Sequence, residues 1–385
     1  MTIYYLPLEP YQERYTLQLK DWTLRAFTRN SILPEDVKTI EPFGFGDNAI
    51  IENTGPLDYW RRTRWSLLQV EQTLALMSKT ETSSDDAIYF QDMFHPGIEA
   101  LAYIFSQKPV SARPKIFVQN CAQSVDIYDF TYPMMHWMRP YELMVDNLVS
   151  GVFVASEIHA ELMRVSGFRA PIYITGLPFD KEEVIERLTN YGQKVIPWHE
   201  KKNQVVFSSR FDKEKQPHFF LDLVVEAKSQ TAFADTKFIL LQGGIFNSTE
   251  PYAVERAREM ESRGLLEIHE RLSKEDYYKI LNESKVQINT ALQDFVSNTL
   301  NEASAFCVKS LLPCFRSFPE AINSNPKYLY TPWNKSDFLS KLNSLLTTAY
   351  DNDILFPANF NHKTLDKVVS LMLSNSPKGN YNGIH

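Results

Sequence analysis

One alternation runs along most of this chain and leaves few folds open to it. Short β-branched or aromatic runs are separated by longer stretches whose apolar residues recur at helical spacing. A strand followed by a helix before the next strand returns parallel to its predecessor, so the pattern predicts parallel sheets covered by crossover helices. In the first half, strands are predicted at 3–8, 49–52, 87–91, 115–119, 152–155 and 172–175, and helices at 11–29, 58–78, 97–106, 140–149 and 157–165. After Gly176-Leu177-Pro178 comes a polar, charged stretch ending near Lys202, and a second series then begins at Gln204. Its predicted strands are 205–208, 237–242, 265–269, 286–290, 311–315 and 328–331, with helices at 217–228, 252–263, 274–283 and 298–306 and one more from Ser336. Ser273 followed by Asp276 resembles a capping box opening the 274–283 helix. Two such series in 385 residues exceed what one core accommodates. The expected architecture is α/β, with two doubly wound, Rossmann-like domains: residues 1–176, a linker at 177–203, and residues 204–355. A C-terminal helix, at 365–373, and a polar tail complete 356–385.

Composition excludes several classes. With 40 Lys+Arg against 47 Asp+Glu the formal charge is −7, so bulk charge does not hold the chain on a polyanion and any such contact is a local patch. Three cysteines, Cys121, Cys307 and Cys314, make no disulfide framework and no zinc spacing, which points to a reducing, cytoplasmic setting. The opening MTIYYLPLEPYQERYT introduces charge too early for a signal peptide, and no later segment offers the roughly 18 uncharged residues of a membrane span. Thirteen glycines leave little material for phosphate-binding glycine loops, and neither a P-loop nor G-x-G-x-x-G occurs.

The residues that carry chemistry lie mainly in the second domain. The strand Val205-Val206-Phe207 runs into Ser208-Ser209-Arg210-Phe211-Asp212-Lys213-Glu214-Lys215-Gln216, which sets a guanidinium and an ammonium at one strand-to-helix turn. Two fixed cations beside a helix N-terminus suit a diphosphate leaving group as negative charge develops on it. Arg210 can grip in a bidentate manner and Lys215 acts as a point charge; a solvated charge run is the alternative. Beyond the strand at 286–290 stands Asp294-Phe-Val-Ser-Asn-Thr-Leu-Asn-Glu302, two carboxylates with seven residues between them.

These segments resemble the nucleotide-sugar glycosyltransferases of the GT-B fold, mainly the retaining ones. The carboxylate pair resembles their E-x7-E motif, Ser208 to Lys215 their GRL-x-x-EKG segment, and Leu311-Leu312-Pro313-Cys314 their G-x-PV. The resemblance implies two domains facing across a cleft and a nucleotide-diphosphate sugar as donor, here UDP-linked. It implies that Glu302 binds the ribose hydroxyls and that Arg210 and Lys215 hold the diphosphate. Asn298 and Thr299 would offer it backbone N–H groups, and Asp294 would face the transferred sugar. This chain departs from the pattern with aspartate for the first glutamate, Phe295-Val296-Ser297 for Gly-Phe-Gly, Ser209 before Arg210, and Gln216 after Lys215. No D-x-D metal motif is present, so no cofactor or protein-bound metal is expected; a divalent cation could assist without protein ligands.

The first domain is expected to hold the acceptor. Glu9 and Arg14 follow the first strand, and Asp92 and His95 lie in Gln91-Asp92-Met93-Phe94-His95-Pro96. In an inverting enzyme Asp92 or His95 would serve as general base, whereas a retaining enzyme with front-face return needs chiefly leaving-group stabilisation. A helix N-cap is the plainer role for Asp92, and a polar residue opening a helix for His95. Asp58-Tyr59-Trp60-Arg61-Arg62-Thr63-Arg64-Trp65 groups Arg61, Arg62 and Arg64 near a helix N-terminus, where the macrodipole disfavours cations. Arginines interleaved with aromatics suit phosphates and unstacked bases, and Trp137 with Arg139 makes a second such cluster. Through YYLPLEPYQERYT and FQDMFHPGIEAL the chain also resembles bacteriophage glycosyltransferases, and distantly the T-even phage enzymes that glycosylate hydroxymethylated pyrimidines. That resemblance implies double-stranded DNA with modified bases as partner and acceptor. A glycan, lipid or protein acceptor, or a non-catalytic relic of the fold, are the other readings.

Overall fold

The computed structural model describes residues 1–10, 15–42, 59–295, 297–349 and 363–374. The predicted strand at 49–52, the first residues of the predicted helices at 11–29 and 58–78, Arg14, Val296 and the tail from 375 lie outside the described residues.

Among the described residues, twelve strands form two six-stranded sheets in which every pairing is parallel. The first sheet contains β1 (Ile3–Leu6), β2 (Val37–Thr39), β3 (Ala87–Phe90), β4 (Lys115–Gln119), β5 (Gly151–Val154) and β6 (Ile172–Ile174), in the order β2-β1-β3-β4-β5-β6. The second contains β7 (Lys202–Phe207), β8 (Lys237–Leu241), β9 (Glu267–His269), β10 (Ser284–Ile288), β11 (Lys309–Pro313) and β12 (Leu329–Tyr330), in the order β12-β11-β10-β7-β8-β9. The central strands are buried on both faces, as helices on either side of a parallel sheet require. One face of the first sheet carries an aromatic ladder in which Tyr5 stacks on Tyr89 and Phe117 on Phe153, each pair at 5.7 Å. Gly151 makes room for it, since a Cβ there would stand 2.5 Å from the Tyr173 ring.

The two sheets share apolar packing. One buried cluster runs from Tyr5 and Trp22 of the first domain through Val184 and Leu188 to Tyr278, Leu281 and Phe306 of the second. The stretch expected as a polar linker contains the helix Lys181–Asn190, whose N-cap Asp180 accepts the Glu183 N–H. The C-terminal helix Lys363–Leu373 returns to the first domain and packs on the helix Tyr15–Arg29, where Asp366 pairs with Arg29 at 3.0 Å.

Candidate functional site

In an open parallel sheet, ligands bind where the strand order reverses, because the loops on either side diverge and leave a crevice. The second sheet reverses between β7 and β10, and the candidate donor residues lie at that point. Lys215, in the loop after β7, is buried; its Nζ donates to the Gln293 carbonyl at 2.8 Å and lies 3.3 Å from Asp294 Oδ2. Thr290 Oγ1 donates to the Lys215 carbonyl at 2.6 Å, so the loops after β7 and β10 are tied together at the lysine. Arg210 pairs with Asp212 at 2.8 Å and Glu214 at 2.6 Å, and its guanidinium lies 5.6 Å from the ring centre of Phe130 in the first domain. Gln216 adopts φ 53°, ψ 56°, the left-handed region in which glycine is least strained. The turn survives without glycine because the Gln216 side chain is held: Nε2 donates to the Lys213 carbonyl at 3.0 Å and Oε1 accepts from Trp333 Nε1 at 3.3 Å.

Asn298 and Thr299 open the helix Asn298–Ala305, and its N-cap, Ser297, gives it no side-chain cap; Ser297 Oγ instead meets Thr299 Oγ1 at 2.7 Å. Such an N-terminus presents backbone N–H groups and the positive end of the dipole. Glu302, one turn further, is buried and bonded to Tyr277, Tyr278 and Lys274. The last three residues carry no motif in the sequence. They reach Glu302 from another helix, Lys274–Glu283, and only the fold brings them there.

The first sheet reverses between β1 and β3, and Glu9, Asp92 and His95 follow those strands. Arg62 does not stand with Arg61 and Arg64. It points inward, with Nη2 2.5 Å from Asp92 Oδ2 and Nη1 3.6 Å from Glu9 Oε1, and it donates to the Phe94 carbonyl at 3.2 and 3.3 Å. Asp92 also accepts the Phe94 N–H at 2.8 Å. His95 is buried with Nε2 2.9 Å from Gln69 Oε1. Gln69 spends its amide N–H groups on the Pro7 and Ile40 carbonyls, so its oxygen faces the ring and Nε2 carries the proton. Burial, then the nearby Arg62 charge, lowers the His95 pKa to about 3, leaving a neutral imidazole whose proton is committed. Trp60 is 89% exposed and Trp137 48% exposed, and Arg61 and Arg64 share the Trp60 end of the helix Tyr59–Met77.

The loop after β4 crosses to the second domain. Arg316 pairs with Asp126 at 2.6 Å, and Gln293, next to Asp294, donates to Asp129 Oδ2 at 3.1 Å. Burial raises the Asp129 pKa from 3.8 to about 6 despite bonds from Thr131 and Gln123. The folded state therefore favours the protonated form. The stability associated with this group is fully present below about pH 4 and is lost as pH rises through 6. On the linkage relation the change is on the order of 2–3 kcal/mol. Denaturant midpoints of wild type and Asp129→Asn, compared from pH 4 to 7, should diverge with wild type losing ground as pH rises. A constant difference would show that this carboxyl titrates normally.

Among the described residues no group of three or more His, Cys, Asp or Glu could hold a metal ion, and no helix is long and apolar enough to cross a membrane. No protein-family model matches the chain, and no curated protein matches it. Solved structures do. Sucrose-phosphate synthase from Thermosynechococcus elongatus aligns over 97% of this chain and 95% of its own at 12% identity, with a TM-score of 0.61. Anabaena HepE, solved with UDP and glucose, aligns over 97% and 100% at 13% identity and 0.59. S. aureus MnaA, solved with UDP, aligns over 97% and 98% at 16% identity and 0.55. At these identities the likeness is one of fold: two parallel six-stranded sheets with flanking helices, meeting at the carboxyl ends of their strands, which is the GT-B architecture.

Proposed function

We propose that this chain is a glycosyltransferase. In this reading it moves a sugar from a UDP-linked donor to a hydroxyl on a hydroxymethylated pyrimidine in DNA, with retention at the anomeric carbon and in the cytoplasm. The observation that carries the donor half is the convergence of Arg210, Lys215 and the uncapped N-terminus of Asn298–Ala305 at the switch point of the second sheet. As the bond from the anomeric carbon to the diphosphate oxygen breaks, negative charge grows on the leaving group. Preformed cations and backbone N–H groups stabilise that charge more than they stabilise the bound donor. The UDP present in the HepE and MnaA structures supports the choice of nucleotide.

Retention is supported by the state of the two candidate bases. Burial and the Arg62 charge lower the His95 pKa to about 3, so its free nitrogen takes up a proton poorly, and Asp92 is held in an ion pair with Arg62. Front-face return needs neither. The acceptor oxygen bonds to the anomeric carbon from the face the diphosphate is leaving, and the acceptor proton passes to a diphosphate oxygen. For the acceptor, the exposed Trp60 with Arg61, Arg64 and Trp137 offers cations for phosphate and rings for an extruded base.

The test is to incubate the protein with UDP-sugars and duplex DNA containing hydroxymethylcytosine, hydroxymethyluracil or neither, then weigh the digested nucleosides. A sugar-sized mass gain on one modified nucleoside is the expected result. Donor hydrolysis without a gain would move the acceptor to a glycan, lipid or protein. Donor binding with neither transfer nor hydrolysis would make the chain a non-catalytic relic.

A further inference from the structure

A carboxylate offers about four lone-pair sites, and three of those on Glu302 are engaged within the protein. Oε2 accepts the Tyr277 hydroxyl at 2.8 Å, while Oε1 accepts the Tyr278 hydroxyl at 3.2 Å and the Lys274 ammonium at 2.9 Å. Tyr278 is fixed from behind by Gln18, on the first helix of the other domain: Gln18 Nε2 donates to its oxygen at 2.8 Å, and the single tyrosine proton is shared between Gln18 Oε1 at 3.1 Å and Glu302 Oε1 at 3.2 Å. Glu302 is 2% exposed while the Lys274 side chain keeps 16%, so the lysine is the more accessible member of the pair.

Lys274 is placed where a lysine is otherwise unfavourable. It opens the helix Lys274–Glu283, next to the N-cap Ser273, at the positive end of the dipole. Its side chain is largely buried, with the ammonium 4.9 Å from the Tyr277 ring centre and 5.2 Å from that of Tyr278. An ammonium has three donors, and one is spent on Glu302.

We propose that Lys274 is the second half of the ribose site. A ribose presents two neighbouring hydroxyls, and a carboxylate with one open site receives only one of them. One hydroxyl donates to Glu302, and its neighbour accepts a hydrogen bond from Lys274. The proposal rests on the donor reading of this site and adds what it selects: a ribonucleoside diphosphate over its deoxy counterparts, through a lysine that reads one hydroxyl and a glutamate that reads the other.

The experiment is calorimetric titration of the full chain with UDP, ADP, GDP and CDP, followed by the 2′-deoxy and 3′-deoxy forms of whichever binds most tightly. Wild type should bind each deoxy form about 10-fold or more weakly, the range for a hydrogen bond to a charged group. Lys274→Met should weaken the ribonucleotide about 10-fold and abolish discrimination against one deoxy form while keeping it against the other. Lys274→Arg should restore part of the lost discrimination. A common loss of affinity for all three ligands in Lys274→Met would reduce the lysine to a packing role and overturn the proposal. So would indifference of wild type to both deoxy forms, a result that does not depend on any variant folding. If no nucleoside diphosphate binds wild type, the donor reading fails and takes the ribose dyad with it; if one binds without discrimination, the dyad alone fails.

Discussion

Lys215→Ala lowers turnover by on the order of 10²-fold or more while the protein stays folded, the typical loss when one preformed donor to a developing charge is removed. The lysine is fitted for that task by its position. It lies at the carboxyl end of β7, its carbonyl is held by Thr290, and its ammonium is shared between the Gln293 carbonyl and Asp294. Its direction is therefore set before any donor arrives, and little reorganisation is left for the reaction step. Alanine removes the charge and leaves the loop tie through Thr290, which bonds to the backbone and not to the side chain. Single-turnover rates at saturating donor separate this effect from binding. If turnover is near wild type, Lys215 is not at the reaction centre and the resemblance of Ser208 to Lys215 to the GRL-x-x-EKG segment has lost its main physical support.

Local pattern made much of the molecule legible. Strand 115–119 and helices 157–165, 217–228 and 274–283 have the bounds their spacing predicts. Ser273 does accept the Asp276 N–H, at 3.1 Å. The helix Lys181–Asn190 was hidden because its apolar stripe is short, Val184 and Leu188 with a half-buried Ile185; the inner face also carries Glu183, which accepts from Trp22 Nε1 at 2.8 Å and from Gln18. β2 is three residues at a sheet edge, half-buried at Val37 and Thr39 and exposed at Lys38, too short to show a period. The helix Met135–Asp146 begins five residues before Pro140, which reads in sequence as a first-turn residue but is accommodated inside the helix. The candidate donor residues were legible for the same reason as the strands, since Arg210, Lys215, Asp294 and Glu302 fall within two short segments. Lys274 and Tyr278 were not: their bonds to Glu302 span 28 and 24 residues, and the Asp129 bond to Gln293 spans 164.

Arg62→Ala shows most directly how a charge run can mislead, because its effect falls on stability and not on acceptor binding. Consecutive residues on a helix point about 100° apart, so Arg61 and Arg62 cannot serve one surface. Arg62 shares its inner stripe with Ser66, Gln69 and Thr73, all buried, and pairs closely with Asp92 and more loosely with Glu9. Removing it leaves the largely buried Asp92 carboxylate without its cation and the Phe94 carbonyl without its guanidinium donor. Breaking a buried pair in this way typically costs about 3–5 kcal/mol, which should lower the melting temperature by roughly 10 °C. Arg61→Glu and Arg64→Glu change a half-buried and an exposed position, so they should cost much less stability than Arg62→Ala. They should instead raise the acceptor KM, leaving donor affinity unchanged. Thermal unfolding with acceptor kinetics on all three variants separates the roles. An Arg62→Ala protein that melts with wild type and loses only acceptor affinity would return Arg62 to the surface patch and contradict its placement between Asp92 and Glu9.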